Sequence, residues 1–237
     1  MASQTGTLEE GQVRAMFDRI AGVYDRMNAV MTAGLDRRWR SRAADLAAVG
    51  PGDRVLDVAT GTGDLALELA RRVAPGGEVV GSDFAEAMLE RAREKAAGRP
   101  DVHFEWGDAL ALDHPDDAFD AATVAFGARN FADLHRGLAQ MARVVRAGGR
   151  VVVLEITTPQ APPLSWFYAL WFDRIVPGLG RLAGDEDAYS YLPSSVKRFP
   201  GPEGLAAAMA EAGLVDIHWL LTAGGIIAIH HGTVRPD

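Results

Sequence analysis

At 237 residues, 48% of them hydrophobic, the chain can bury one substantial core and has no need of a second. The absence of cysteine excludes disulfides, thiolate nucleophiles and cysteine zinc sites together, and a formal charge of −8 without a basic cluster argues against a nucleic-acid partner. Met1 to Glu10 lacks the basic start and apolar centre of a secretory leader, and no apolar run approaches the ~20 residues of a membrane span, so a cytoplasmic protein is expected.

Glu9 to Ala21 and Leu35 to Ala48 read as helices, an amino-terminal cap over residues 1–50 that Pro51-Gly52 closes. Arg54 to Ala59 is a β-branched apolar run. It breaks into Gly61 and Gly63 and resumes as a helical pattern over Asp64 to Val73, the strand, turn and helix that open a nucleotide-binding doubly wound sheet. Glycines there let a ligand approach the main chain and the amino end of the helix. The next strand, Glu78 to Ser82, delivers Asp83 twenty residues past Gly63, and a carboxylate at that tip can accept hydrogen bonds from both hydroxyls of a ribose. Phe84 follows it into the same site.

Further strands are expected at Val102 to Trp106, Phe119 to Phe126 and Arg150 to Thr157, with helices over Ala85 to Ala97 and Phe131 to Val145. Gly76-Gly77 and Gly148-Gly149 read as stops between helix and strand. Pro162 to Ala183 concentrates Trp166, Phe167, Tyr168, Trp171 and Phe172, the pattern of a buried helix or of an apolar lid that dips into a bilayer surface. Asp173 and Arg174 exclude a spanning helix. A helix over Glu203 to Ala212 precedes two strands, Leu214 to Leu221 and Gly225 to His230, whose short Thr222-Ala223-Gly224 link makes them antiparallel. His230 and His231 point to opposite faces of a strand, and no ligand spacing surrounds them, so no metal is expected.

Asp57-Val-Ala-Thr-Gly-Thr-Gly-Asp64, Gly107-Asp108-Ala-Leu, Phe126-Gly-Ala-Arg129-Asn130, Gly148-Gly149 and Leu154-Glu155, in this order, resemble the class I S-adenosylmethionine methyltransferases. Tyr24-Asp25-Arg-Met27-Asn28, Ala188-Tyr189-x-Tyr191-Leu192, Arg198-Phe199-Pro200 and Gly224-Gly225-x4-His230-x-Gly232 are similar to the ubiquinone and menaquinone biosynthesis C-methyltransferases. The resemblance implies a single α/β domain over residues 1–237. It would hold a Rossmann-like, seven-stranded, mostly parallel sheet with a carboxyl-terminal antiparallel hairpin, amino-terminal helices and a helical lid insertion over 159–200. It also implies S-adenosylmethionine as methyl donor, with Thr60 and Gly61 beside its methionyl part, Asp83 on the ribose, Asp108 and Ala109 at the adenine, and Ala125 facing it from the fourth strand. Ala125 stands where serine is common, Thr32 and Asp36 where serine and histidine are common, Arg146-Ala147 where lysine-proline is common, and Thr157 where serine is.

The substrate implied is a prenylated quinol met at the membrane surface, on the inner face of the cell membrane, with demethylmenaquinol foremost. A homodimer is compatible with that role. Only the reduced ring offers a nucleophilic carbon, so the protein must supply a base and an oriented cation near the phenolate. Arg129 and Asn130 lie just past the fourth strand, on the ligand-binding edge, with a structural ion pair as the other role open to Arg129. His135 lies one turn into the next helix, and Asp25 with Tyr24 would close over the donor or cap a helix. The competing reading within the same chemistry is a methyltransferase of a specialised small-molecule pathway. From another class, a nicotinamide dehydrogenase would use the same turn, but neither Lys95 nor Lys197 completes a Tyr-x-x-x-Lys pair.

Overall fold

The computed structural model describes residues 10–159 and 186–236. Pro162 to Ala183, notable for its aromatic content, lies outside the described residues. The strands are β1 (Arg54–Val58), β2 (Glu78–Asp83), β3 (Val102–Trp106), β4 (Phe119–Ala125), β5 (Val145–Ile156), β6 (Leu214–Thr222) and β7 (Ile227–Val234). The helices are α1 (Glu10–Ile20), α2 (Tyr24–Thr32), α3 (Asp36–Leu46), α4 (Asp64–Val73), α5 (Glu86–Lys95), α6 (Leu134–Val144), α7 (Glu186–Arg198) and α8 (Pro202–Glu211).

The seven strands form one sheet in the order β3-β2-β1-β4-β5-β7-β6. β1 to β5 run parallel, and β7 lies antiparallel to both β5 and β6. Alternation along β1 sorts the two faces of the core, because successive side chains leave a strand on opposite sides. Leu56 and Val58 pack with Leu138 and Met141 of α6 and with Leu205 and Met209 of α8. Val55 packs with Trp39 and Ala43 of α3 and with Leu65 and Leu69 of α4. The chain order reverses between β1 and β4, so the carboxyl ends of β1, β2 and β4 open onto one crevice.

Four elements differ from the sequence reading, the last strand among them: β7 begins at Ile227 and runs to Val234, past the expected end at His230. The segment 24–32 forms a helix of its own, α2, none of whose residues is buried. β5 starts at Val145 rather than Arg150, and the Gly148-Gly149 pair lies inside the strand as a bulge. Phe119 pairs with Val145, the register then jumps so that Ala121 pairs with Arg150, and Gly148 takes up the bend at φ +76°. α6 begins at Leu134 because Asp133 caps it, its side chain accepting a hydrogen bond from the Arg136 amide at 3.0 Å.

The two neighbouring histidines of β7 separate as their alternation requires. His231 Nδ1 sits 2.7 Å from an Arg150 amine, whereas His230 is buried, its Nε2 donating to the Pro202 carbonyl at 2.9 Å. Burial lowers the His230 pKa to about 4, so the ring is neutral and ties β7 to the start of α8.

Candidate active site

The β1–α4 turn is built from its own hydrogen bonds. The Thr60 amide donates to the Ser82 carbonyl at 3.0 Å and the Gly63 amide to the Thr60 carbonyl at 3.0 Å, which folds the chain back over the end of β2. Gly63 holds φ +82°, and a Cβ there would lie 2.7 Å from the Phe104 ring. Its role is therefore close packing of the helix start, and it does not line the crevice. The Asp83 carboxylate closes the turn from β2, with one oxygen accepting from the Gly61 amide at 2.7 Å and the other from the Ala85 amide at 2.9 Å. Each oxygen keeps a second lone pair for a ligand hydroxyl.

Above this turn lies a cleft with about 920 Å³ of empty space. Thr60, Gly61, Asp83, Phe84, Asp108, Ala109 and Ala125 all line it, so seven of the eight positions read as donor-binding come together there. Asp57, absent from that set, lies in its floor: the Thr60 hydroxyl donates to one of its oxygens and the Thr123 hydroxyl to the other, both at 2.6 Å. Burial pushes its carboxyl up to about 6, against the pull of the two hydroxyls and of Arg40. Burial likewise pushes Asp83 up to about 6, opposed by the amides of Ala85 and Gly61. Asp108 spends one oxygen on the Leu110 amide at 2.8 Å, which sets the turn that presents Ala109.

The four residues read as catalytic separate. Asn130 lines the cleft, and its side-chain oxygen accepts from the Tyr191 hydroxyl of α7 at 3.1 Å. Arg129, on the same short 3-10 turn after β4, is buried behind it: Nη1 donates to the Phe126 carbonyl and, at 2.8 Å, to Glu155 on β5. Nε is buried without a partner among the described residues. Burial works against its charge, but Glu155 and the neighbouring Tyr24 and Tyr191 raise its pKa above the ordinary arginine value, so it stays charged. The structural ion pair that the sequence left open is thus present. Asp25 caps no helix; it accepts from the Thr62 hydroxyl at 2.6 Å and pairs with Lys95 at 2.6 Å, which joins α2 to the α4 turn and to α5 beside the cleft. His135 is not brought to the cleft. It sits 60% exposed on α6 and meets Glu211 of α8 at 2.9 Å, because the buried face of α6 is the one carrying Leu138 and Met141.

Sequence reasoning passed over Arg40 and Glu155. Arg40 lines the cleft, buried and paired with Asp36 one turn earlier on α3. Glu155 stood in a quoted motif, but only the β4–β5 register, with Ala125 beside Leu154, shows that its side chain reaches the turn after β4. Among the described residues no three metal-ligating side chains converge, and no helix is long and apolar enough to cross a membrane.

Solved structures share this arrangement. An S-adenosylmethionine-dependent methyltransferase from Thermotoga maritima, titled a possible histamine N-methyltransferase, matches with a TM-score of 0.66 at 20% identity, covering 93% of this chain and 99% of its own. The [4+2]-cyclase SpnF matches with a TM-score of 0.70 at 18% identity over 100% of both chains. At such identities the likeness shows the class I methyltransferase fold alone, and a cyclase on that fold shows why the site must carry the function. The chain belongs to the ubiE/COQ5 methyltransferase family, which it matches over residues 5–234. It is 52% identical to the demethylmenaquinone methyltransferase of Thermus thermophilus, with 92% of this chain and 99% of that one covered. It is 43% identical to the ubiquinone/menaquinone biosynthesis C-methyltransferase UbiE of Geobacter sulfurreducens, covering 94% and 89%. The protein is thus an S-adenosylmethionine-dependent methyltransferase.

Proposed function

We propose that the protein methylates a ring carbon of a reduced prenylated quinone, demethylmenaquinol, in menaquinone biosynthesis. The observation that carries this reading is the 52% identity, over nearly the whole chain, to a relative named for that substrate. The cleft suits the donor: Asp83 offers two acceptor oxygens to a ribose diol, Asp108 and Ala109 form one wall, and the Gly61 backbone leaves open space above the α4 start. When bound, S-adenosylmethionine supplies an activated methyl group on a sulfonium, so no strong acid is asked of the protein. What the chain adds is a dry, oriented reception for the quinol.

Asn130, in the cleft lining with its side-chain oxygen accepting from the Tyr191 hydroxyl, is suited to holding a phenolic oxygen through its amide. Behind it the buried Arg129 charge favours the phenolate over the phenol and so raises electron density on the ring carbon. Arg129 is too basic to take the proton itself; a water is the acceptor it would orient. A prenyl tail keeps the substrate in the bilayer, so the protein acts at the membrane surface.

Incubation with labelled S-adenosylmethionine and a panel of quinones, each with and without reductant, tests this. Label should enter demethylmenaquinol and should require the reductant. Equal labelling of the oxidised quinone would sink the phenolate mechanism, and labelling of unrelated phenols alone would sink the substrate.

Donor binding should also depend on pH. Asp83 must be ionised to accept from both ribose hydroxyls, yet in the donor-free protein its carboxyl titrates at about 6. Affinity for S-adenosylhomocysteine should therefore rise as pH increases through this value and fall about tenfold between pH 7.5 and pH 5. The linkage to stability has the opposite sense. Both Asp57 and Asp83 titrate above their unfolded value of 3.8. Their contribution to the donor-free fold is complete below that value and is lost as pH rises through about 6. Calorimetric titrations at the two pH values check the prediction, and a flat profile refutes it.

A further inference from the structure

The overall charge of −8 conceals a basic surface at the α2–α3 turn. Between Arg26 and Arg42 lie five arginines and a single carboxylate, Asp36, which is buried and paired with Arg40. Arg26, Arg37, Arg38 and Arg42 are exposed, and none of them pairs with a carboxylate among the described residues. The outer face of α2 continues this surface. Arg26, Ala29, Val30 and Ala33 recur at helical spacing on its solvent side, and Leu35 follows in the turn to α3. Val30 is 65% and Leu35 40% exposed, two of the five large apolar side chains left open to solvent among the described residues. The turn is satisfied within itself: the Ala33, Gly34 and Leu35 amides donate to the Val30, Ala29 and Thr32 carbonyls at 3.3, 2.9 and 3.0 Å. An apolar tip built in this way can enter a low-dielectric layer without stranding those donors. The inner face of the same helix belongs to the cleft. Tyr24, Met27 and Met31 pack inward with Phe17 and Phe84, and Phe17, Tyr24 and Phe84 line the cleft.

We infer that the α2–α3 turn docks the protein on a bilayer surface bearing anionic phosphate headgroups, with Val30 and Leu35 entering the interface and Arg26, Arg37 and Arg38 on the phosphates. The inference rests on the prenylated substrate proposed above and adds where the protein meets the bilayer. A guanidinium is a planar fork that matches phosphate oxygens in pairs, and an apolar wedge between unpaired arginines is the chemistry of an interfacial segment. A site for single-stranded nucleic acid would add rings to stack on bases, and the one aromatic of this stretch, Trp39, is buried. The rest of the chain is net negative, so an anionic surface repels it while attracting the turn, which fixes orientation as well as contact. The helix that touches lipid on one side borders the cleft on the other. Docking therefore brings bilayer and cleft together across about 10 Å, the diameter of one helix.

The test uses the full-length protein and vesicles of phosphatidylcholine, alone or with about a third phosphatidylglycerol. The unmodified protein should cosediment with the anionic vesicles about tenfold more strongly or better, and the difference should shrink as salt is raised. Arg37→Gln/Arg38→Gln should lose about fivefold in anionic-vesicle affinity per arginine. Val30→Ser/Leu35→Ser should weaken binding at every salt concentration. Both double variants should keep their melting temperature and their rate on a short-tailed soluble quinol, and lose rate on a long-tailed quinol in vesicles. Because the chain has no cysteine, a fluorophore on Val30→Cys reports from one place. Its emission should shift to the blue on anionic vesicles, whereas the same label on Leu221→Cys, an exposed apolar position on the edge strand β6, should not shift. Equal binding of the two vesicle types, unchanged binding by the arginine variant, or a shift from Leu221 with none from Val30 would each overturn the inference. So would capture of RNA with no binding to vesicles. If a double variant does not fold, the lipid and salt dependence of the unmodified protein and the two labels decide the matter. Vesicle binding through the turn with no quinol methylated, short-tailed or long, would instead remove the substrate reading alone.

Discussion

Arg129→Met should lower turnover about 100-fold or more while leaving donor affinity within about twofold, the pattern of a contact strongest in the transition state. The substitution has a second effect that must be separated from the first. Arg129 and Glu155 form a buried pair, 8% and 1% exposed, and removal of the arginine strands a carboxylate in the core. Breaking such a pair from one side costs about 3–5 kcal/mol of stability. The double variant Arg129→Met/Glu155→Gln removes the stranded charge and should recover most of that loss. It should recover none of the turnover, because the cation next to the phenolate is still missing. Melting temperature and single-turnover rate, measured on both variants well below their transitions, distinguish the two effects. If turnover returns together with stability, Arg129 is a structural ion pair and the electrostatic role fails.

Asp83→Ala should weaken S-adenosylhomocysteine binding by about 1.5–3 kcal/mol, the value of hydrogen bonds to a charged group. The side chain does two things at once. It accepts from the Gly61 and Ala85 amides, and so shapes the turn, and it leaves lone pairs for the ribose. Asp83→Asn is not a mild change, since an amide has one acceptor oxygen and cannot serve both backbone donors. An isothermal titration of each variant, with its melting curve, gives the check. Unchanged affinity in a folded Asp83→Ala protein would take Asp83 out of the site.

The legible parts of this chain were those whose cause is local. β1, the turn, α4 and Asp83 follow from a β-branched apolar run, two glycines and a period of 3.6 within thirty residues. α2 was missed because its apolar face, Tyr24, Met27 and Met31, spans only two turns and is only half buried. The start of β5 was misplaced because a glycine pair inside a bulge looks in sequence like one that ends a helix. Arg40 and Glu155 escaped for a different reason. An Asp-to-Arg spacing of four on α3 reads as an ordinary exposed helix pair, and only the packing of α3 beside the β4 end, with Phe126 under the guanidinium, makes it a buried one. His135 shows the converse error: nearness in sequence to Arg129 and Asn130 says nothing of which way a helix turns its side chains.

The position of β7 bears on how the chain is made. It is hydrogen-bonded on both sides, to β5 and to β6, although about seventy residues separate it from β5 in sequence. β1 through β5 can pair with one another as they leave the ribosome, since each finds its parallel neighbour among strands already synthesised. The outer edge of β5, with Val151, Val152, Val153 and Leu154 all buried in the finished sheet, has no partner until residues 227–234 have emerged. Until then a growing chain presents an open, apolar strand edge, the kind of surface that pairs with other chains. Slow synthesis across α7, α8 and β6 would lengthen that exposure, and the hazard ends when β7 slides between its two neighbours.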